Sequence, residues 1–261
     1  MSSSTSITDS TSRQELLEEF RQLNSLVAEY DDSRFDRAMR HWMWRTLEPW
    51  MTGQHALELG CLYGEFTSLL ARRFHRVAVV DAAASFLDAA KKRVGSDHDC
   101  QLSFHQSLFE TFEGEVDGGY DSIFLMHVLE HLIDPVSVLR AARRWLAPSG
   151  RMFLVVPNGN ALSRQLAVRM GALRQLTDFS PADVRGGHRR VYLPDTLLRD
   201  ARDAGLTVEH SGGIFLKPLA NFQFDALMGG EFLSAQYMEA CYELGKEYPT
   251  LCASLFLVCR S

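Results

Sequence analysis

Residues 56–67, Ala-Leu-Glu-Leu-Gly-Cys-Leu-Tyr-Gly-Glu-Phe-Thr, read as an apolar strand ending in a carboxylate, a glycine turn and the start of a helix. Glu58 lies at the strand's end, and Gly60 and Gly64 bracket a loop where backbone can approach a ligand closely, since neither residue carries a Cβ. A second apolar run, Arg76-Val-Ala-Val-Val-Asp81, ends in an acid 21 residues after Gly60. A glycine turn after one strand and an acid closing the next form the arrangement that holds a ribose-bearing ligand. This pair of strand ends constrains the chain to an open α/β sheet more than any other feature.

The turn does not suit a dinucleotide. Cys61, Leu62 and Tyr63 follow Gly60, so the middle glycine of Gly-x-Gly-x-x-Gly is missing, and no lysine follows Gly64. Glu58 and Glu65 would repel a pyrophosphate. A cationic ligand that offers hydroxyl and ammonium donors fits better, and S-adenosylmethionine is one: a sulfonium, an α-ammonium group and a ribose diol. A nicotinamide-dependent oxidoreductase on a similar sheet is the less favoured alternative.

Strand and helix patterns alternate from there. Strands are expected at 55–59, 77–81, 101–106, 121–126, 152–156, 207–211 and 251–259, and helices at 65–74, 85–94, 135–146, 161–170, 194–204 and 234–245. A turn is expected at Pro148-Ser-Gly150. The pattern implies a doubly wound, mostly parallel seven-stranded sheet, a Rossmann-like α/β fold whose ligand sits outside the carboxyl ends of the strands. The domain plan has a disordered tail at 1–12, an N-terminal helical cap at 13–52, and the sheet domain at 53–261 with insertions at about 158–187 and 217–250. Within the cap, 34–50 reads as a helix with Phe35, Met39, Trp42, Met43 and Leu47 on one face.

Four motifs in order resemble the class I S-adenosylmethionine-dependent methyltransferases. They are Glu58-x-Gly60-x-x-x-Gly64; Tyr120-Asp-Ser-Ile-Phe-Leu-Met-His-Val-Leu-Glu-His-Leu-Ile-Asp-Pro135; Gly150-Arg-Met-Phe-Leu-Val-Val-Pro-Asn158; and Gly187-His-Arg-Arg-Val-Tyr-Leu-Pro-Asp-Thr-Leu197. The last three are similar to the subgroup that includes ubiquinone-biosynthesis O-methyltransferases and many natural-product methyltransferases. The resemblance implies that the loop of Glu58, Gly60, Tyr63 and Gly64 lies against the methionine part of S-adenosylmethionine. It also implies that Asp81, with Ala82 beside it, takes the ribose hydroxyls. Ser107 and Leu108 would flank the adenine, though the family often has an acid where Ser107 stands. Met126 and His127 would line the methionine side. The last two strands would form an antiparallel edge.

Methyl transfer needs a positioned nucleophile and, for a hydroxyl acceptor, a base. His127, His131 and His188 are the candidates for that role; each could equally be a hydrogen-bonded positioning residue. Asn158 after the fifth strand and Tyr30 in the N-terminal cap are candidates for holding substrate. His127 and His131 stand four apart with Glu130 between them, but the His-Glu-x-x-His order is absent, and no metal is expected.

The chain has 261 residues, a formal net charge of −6 and 46% hydrophobic residues. That is enough apolar material to cover both faces of a sheet, and the acidic balance argues against a nucleic-acid partner. Its five cysteines include no Cys-x-x-Cys pair, so free thiols in a reducing cytoplasm are expected. No stretch approaches the roughly 20 apolar residues of a membrane span, so no membrane partner is expected, and homo-oligomerisation is left open. The expected activity is methylation of an oxygen or nitrogen of a small molecule, in secondary-metabolite or antibiotic biosynthesis. A non-catalytic, cofactor-binding module of the same fold is the alternative.

Overall fold

The computed structural model describes residues 18, 33–114, 119–228, 230 and 232–261. The expected tail at 1–12, the part of the helical cap before residue 33 apart from Glu18, and with it Tyr30, lie outside the described residues.

The described chain opens with α1 (Arg34–Leu47), capped by Ser33, whose hydroxyl accepts from the Asp36 amide, and followed by a 3-10 turn at Glu48–Trp50. The core elements then follow as β1 (His55–Leu59), α2 (Glu65–Arg73), β2 (Arg76–Asp81), α3 (Ala84–Val94), β3 (Gln101–Gln106), β4 (Tyr120–Met126), α4 (Pro135–Arg144) and β5 (Leu146–Pro157). The second half adds α5 (Leu162–Arg169), α6 (Pro181–Arg185), α7 (Pro194–Asp203), β6 (Thr207–Leu216), α8 (Asn221–Leu227), α9 (Ala235–Glu247) and β7 (Cys252–Arg260). The seven strands form one sheet in the order β3-β2-β1-β4-β5-β7-β6. β1 to β5 run parallel, and β7 is antiparallel to both β5 and β6. The chain steps outward from β1 to β3, then returns to place β4 on the other side of β1. That reversal is the switch point where open α/β sheets form their binding crevice.

Alternation along the strands sends side chains to two apolar layers. Phe124, Phe153, Val155 and Val258 point to one, and Ile123, Leu125, Leu154 and Leu257 to the other. Phe124 and Phe153 are register partners and stack with centroids 4.7 Å apart, a cross-strand aromatic pair in the centre of the sheet. The expected face of α1 (Phe35, Met39, Trp42, Met43 and Leu47) is buried, and it packs on the later insertion as well as on the sheet. Phe35 stacks on Phe224 of α8 at 4.5 Å, Trp42 lies 4.6 Å from Phe215 of β6, and Arg45 makes a bidentate pair with Glu239 of α9 at 2.6 and 2.8 Å. The two helical segments, far apart in sequence, thus form one layer.

Most boundaries shift by a residue or two, and three of the differences have a visible cause. β6 continues to Leu216, past Gly212-Gly213, because Gly213 is where another segment crosses: a Cβ there would lie 2.1 Å from the Pro249 carbonyl oxygen. β5 begins at Leu146, and the Pro148–Gly150 turn is a bulge within it, where pairing jumps from Tyr120–Leu146 to Ser122–Arg151. α4 accordingly stops at Arg144 instead of running on to residue 146. The short helices α6 and α8 inside the insertions were not anticipated.

Candidate active site

The turn after β1 is built by backbone. Gly60 N–H donates to Val80 C=O at 2.8 Å, and Gly64 N–H donates to Cys61 C=O at 2.8 Å. Gly64 has φ 80° and would place a Cβ 2.5 Å from the Ala90 Cα of α3, so only glycine lets the two helices close behind the loop. A Cβ on Gly60 would meet Val128 at 2.6 Å, which ties the loop to the segment after β4.

Two buried carboxylates face this turn. Asp81 Oδ1 accepts from the Ala83 amide at 2.9 Å, and its Oδ2 accepts from the Cys61 amide at 3.0 Å and the Cys61 thiol at 3.7 Å. Oδ1 keeps a lone pair for another donor. Glu58 is 1% exposed; one oxygen accepts from Thr67 Oγ1 at 2.6 Å, and the other has no partner within the fold. Burial, with the Asp81 charge adding to it, lifts the Glu58 carboxyl to about 8 against the Thr67 hydrogen bond. Burial also raises Asp81, against the two amide donors. An unpaired buried carboxylate oxygen over a glycine cradle is a place for an ammonium group.

Around this pair, Tyr63 packs edge-on to Phe86 with centroids 5.3 Å apart, Ala82 and Leu108 are buried, and Met126 is half-buried. Ser107 donates to the Leu108 carbonyl at 2.8 Å, so its hydroxyl proton is committed to its own loop and is not available to an adenine nitrogen. Positive charge arrives from outside the motifs. Arg40 of α1 acts on both Glu58 and His127, and Lys217 at the end of β6 acts on His127. Lys217 donates to Asn221 at 2.7 Å and is itself lowered by burial. Neither residue belongs to a local pattern that sequence reasoning could have used.

The three histidines gather beyond the end of β4, in different states. His127 has φ 56°, and its Nε2 is 2.9 Å from Ser254 Oγ of β7. Burial and the nearby cations hold its pKa well below the ordinary value, so the ring is neutral and a weak base. His131 packs edge-on to His188, with centroids 4.9 Å apart; burial and the His188 charge push its pKa down to about 3. His188 donates Nδ1–H to Asp183 at 2.9 Å, and Asp183 also accepts from Arg164 at 3.0 Å and from Ser180. Burial lowers His188, but the Asp183 bond and the Glu130 and Asp183 charges outweigh it, and the net shift is upward. Burial would raise Asp183, but the His188 and Ser180 hydrogen bonds and Arg164 hold it well below the usual carboxylate range. A small cavity of about 20 Å³ opens here, lined by Glu130, Asn158, Asp183 and His188 among others.

Asn158 bridges two strands. Its amide nitrogen donates to the Thr250 and Cys252 carbonyls at 2.9 and 2.8 Å, and its oxygen accepts from the Asn160 amide at 2.8 Å. The side chain, 3% exposed, spends both amide hydrogens on tying the end of β5 to the start of β7, and its oxygen keeps one lone pair. Asn158→Ala should therefore lower unfolding stability by roughly 1–3 kcal/mol, the range for buried polar groups left unpaired. Chemical denaturation checks this, and affinity for S-adenosylhomocysteine should stay within about twofold of wild type.

Residues 16–211 match a family profile described as a methyltransferase domain. The chain belongs to this methyltransferase family. A ubiquinone biosynthesis O-methyltransferase of Aeromonas salmonicida is 30% identical over 169 residues, 65% of this chain and 69% of that one. The corresponding protein of Leptothrix cholodnii is 28% identical over 169 residues, 65% of this chain and 71% of the other. Among solved structures, an S-adenosylmethionine-dependent methyltransferase from Mesorhizobium loti superposes with a TM-score of 0.58 at 15% identity, covering 84% of this chain and 98% of that one. The N-methyltransferase NodS of Bradyrhizobium japonicum, in complex with S-adenosylhomocysteine, superposes with a TM-score of 0.56 at 18% identity, covering 93% and 98%. The protein is an S-adenosylmethionine-dependent methyltransferase, and the glycine cradle and the orphaned Glu58 oxygen fit that cofactor. All five cysteines are free. Among the described residues, no helix is long and apolar enough to cross a membrane.

Proposed function

We propose that this methyltransferase transfers the methyl group to an oxygen or nitrogen of a small molecule, with a role in secondary-metabolite biosynthesis. The observation that carries the reading is the pairing of two buried strand-end carboxylates, Glu58 and Asp81, around a glycine turn. In this reading Glu58 takes the cofactor's α-ammonium group on its unpartnered oxygen, and Asp81 takes the ribose diol on the lone pair left on Oδ1. Arg40 supplies positive charge for the cofactor's carboxylate. Leu108 packs on the adenine. When bound, the cofactor supplies an activated methyl on a sulfonium.

The acceptor sits toward the histidine cluster. The insertion that carries α5 and α6 covers this end of the sheet and supports enclosure of a modest-sized substrate. Buried, neutral His127 is better suited to orienting an acceptor through hydrogen bonding than to removing its proton. His188, held by Asp183, is the more basic ring. The O-methyltransferase relatives favour a hydroxyl acceptor. The NodS likeness, at 18% identity, bears on the fold alone.

Calorimetric titration with S-adenosylhomocysteine, with NAD as control, tests the cofactor side. Micromolar binding of the first and none of the second is expected. A labelled-methyl screen of phenols, alcohols and amines then tests the acceptor. Tight cofactor binding with no product from any class would turn the reading toward a non-catalytic module.

A further inference from the structure

Just beyond β6 stands an ammonium group whose charge the fold does not answer. Lys217 is half-buried; its Nζ donates to Asn221 Oδ1 at 2.7 Å and lies 5.5 Å from the centre of the Phe35 ring. An ammonium carries three hydrogens, and this one gives a single hydrogen to a neutral acceptor. Among the described residues, no carboxylate is within ion-pairing distance of it. The charges of Asp36 and Asp183 reach Lys217, but both carboxylates are held by other donors. Asp36 accepts from Ser33 Oγ and from the Asn221 amide nitrogen, so the Asn221 side chain stands between the cation and that acid. Asp183 is held by Arg164, Ser180 and His188. Withdrawing an ammonium from water without a counter-ion is unfavourable, and a ligand that brings the negative charge removes the penalty.

The backbone fixes this group in place. Phe215, two residues earlier, has φ 66°, a region that bulky residues rarely adopt, and its ring is locked among Phe35, Trp42 and Phe224. The Lys217 carbonyl accepts from the Ser163 amide at 3.0 Å, which ties the end of β6 to the first turn of α5. His127, at the end of β4, has φ 56° and feels the Lys217 charge. Backbone held in such sparsely populated regions gathers at ligand sites. Two cations divide the space beyond the strands. Arg40 acts on Glu58 and His127, whereas the charges felt by Lys217 include Arg164 and Asp183 of the acceptor-side cluster.

We propose that the methyl acceptor is an organic acid and that Lys217 binds its carboxylate, leaving its hydroxyl or amine beside His127. A single ammonium against an aromatic wall suits a monoanion; a phosphate would call for further cations or a ring of amide donors. The acceptor's identity rests on the methyltransferase reading above; anion binding by Lys217 does not.

Benzoate is the probe, and benzamide is its neutral counterpart. Both are titrated, by saturation-transfer NMR, into the full chain with and without S-adenosylhomocysteine. Benzoate should bind at least roughly tenfold tighter than benzamide, the scale of one hydrogen bond to a charged group. Lys217→Met should lose that preference, and Lys217→Arg should keep part of it. Circular dichroism and S-adenosylhomocysteine titration on the same samples report folding and the cofactor site, and both should be unchanged in Lys217→Met. Equal binding of the two probes, binding of neither, or a preference that survives in folded Lys217→Met overturns the proposal. So does a loss of S-adenosylhomocysteine affinity in Lys217→Met, which would assign the ammonium to the cofactor's own carboxylate. In the labelled-methyl screen, hydroxy and amino acids should outperform their methyl esters, and the reverse order would overturn the acceptor's part. Lys217-dependent benzoate binding by a chain that does not bind S-adenosylhomocysteine would sink the cofactor assignment and leave the anion site standing.

Discussion

Asp81→Ala should lose S-adenosylhomocysteine affinity by roughly 3–4 kcal/mol, on the order of 10²- to 10³-fold. Two losses combine. The ribose diol donates to a charged acceptor, and each such hydrogen bond contributes about 1.5–3 kcal/mol. The same carboxylate also receives the Cys61 and Ala83 amides, so its removal frees the glycine turn that shapes the cofactor pocket. Asp81→Asn should fall between wild type and alanine, since it keeps an acceptor for one amide but places a donor against the other. Calorimetric titration at fixed pH reads the series. Wild-type affinity in a folded alanine variant would end the ribose assignment. Thermal unfolding without ligand separates the two losses: the turn's share appears there, and the ribose share only on binding.

The parts of this protein that were legible in its sequence are those in which position and chemistry are local. A strand, a tight turn and a helix follow one another within 15 residues, so Glu58, Gly60 and Gly64 could be placed by pattern. Short apolar runs alternating with helical patterns located all seven strands, and period-3.6 spacing gave the buried face of α1 residue by residue. Legibility ended where distant segments meet. Gly212-Gly213 looks like a strand break until the Pro249 carbonyl is found against it. Nothing in the sequence around Asn158 shows that its amide bridges β5 to β7. Glu130 was read only as a residue between two histidines, and no periodicity reports that its carboxylate is buried without a hydrogen-bond partner. Arg40 and Lys217 were missed because a single cation on a helix or strand end carries no signature.

Affinity for S-adenosylhomocysteine should rise nearly tenfold per pH unit between about pH 5.5 and 7, and this dependence should vanish in Glu58→Gln. With its carboxyl lifted to about 8 by burial, Glu58 is mostly protonated in the empty site at neutral pH. An α-ammonium group needs the carboxylate, so binding must expel one proton, and each unit of pH contributes about 1.4 kcal/mol to that step. The ligand's own ammonium stays charged in this window, because α-amino groups titrate near 7.7–8.0. The sign for folding runs the other way. The folded, empty protein holds a proton that the unfolded chain releases near 4.5, so Glu58's contribution to stability is complete below that value. It is lost as pH climbs through about 8, and the ligand-free fold weakens over this range. Glu58 therefore favours the empty fold in acid and the bound state nearer neutrality. Titration in two buffers of different ionisation enthalpy counts the proton directly, and about one should be released near pH 6.5. Affinity that stays flat with pH in the wild type would show that the ammonium group docks elsewhere. A slope that survives in Glu58→Gln would assign the proton to Asp81, whose carboxyl burial also raises.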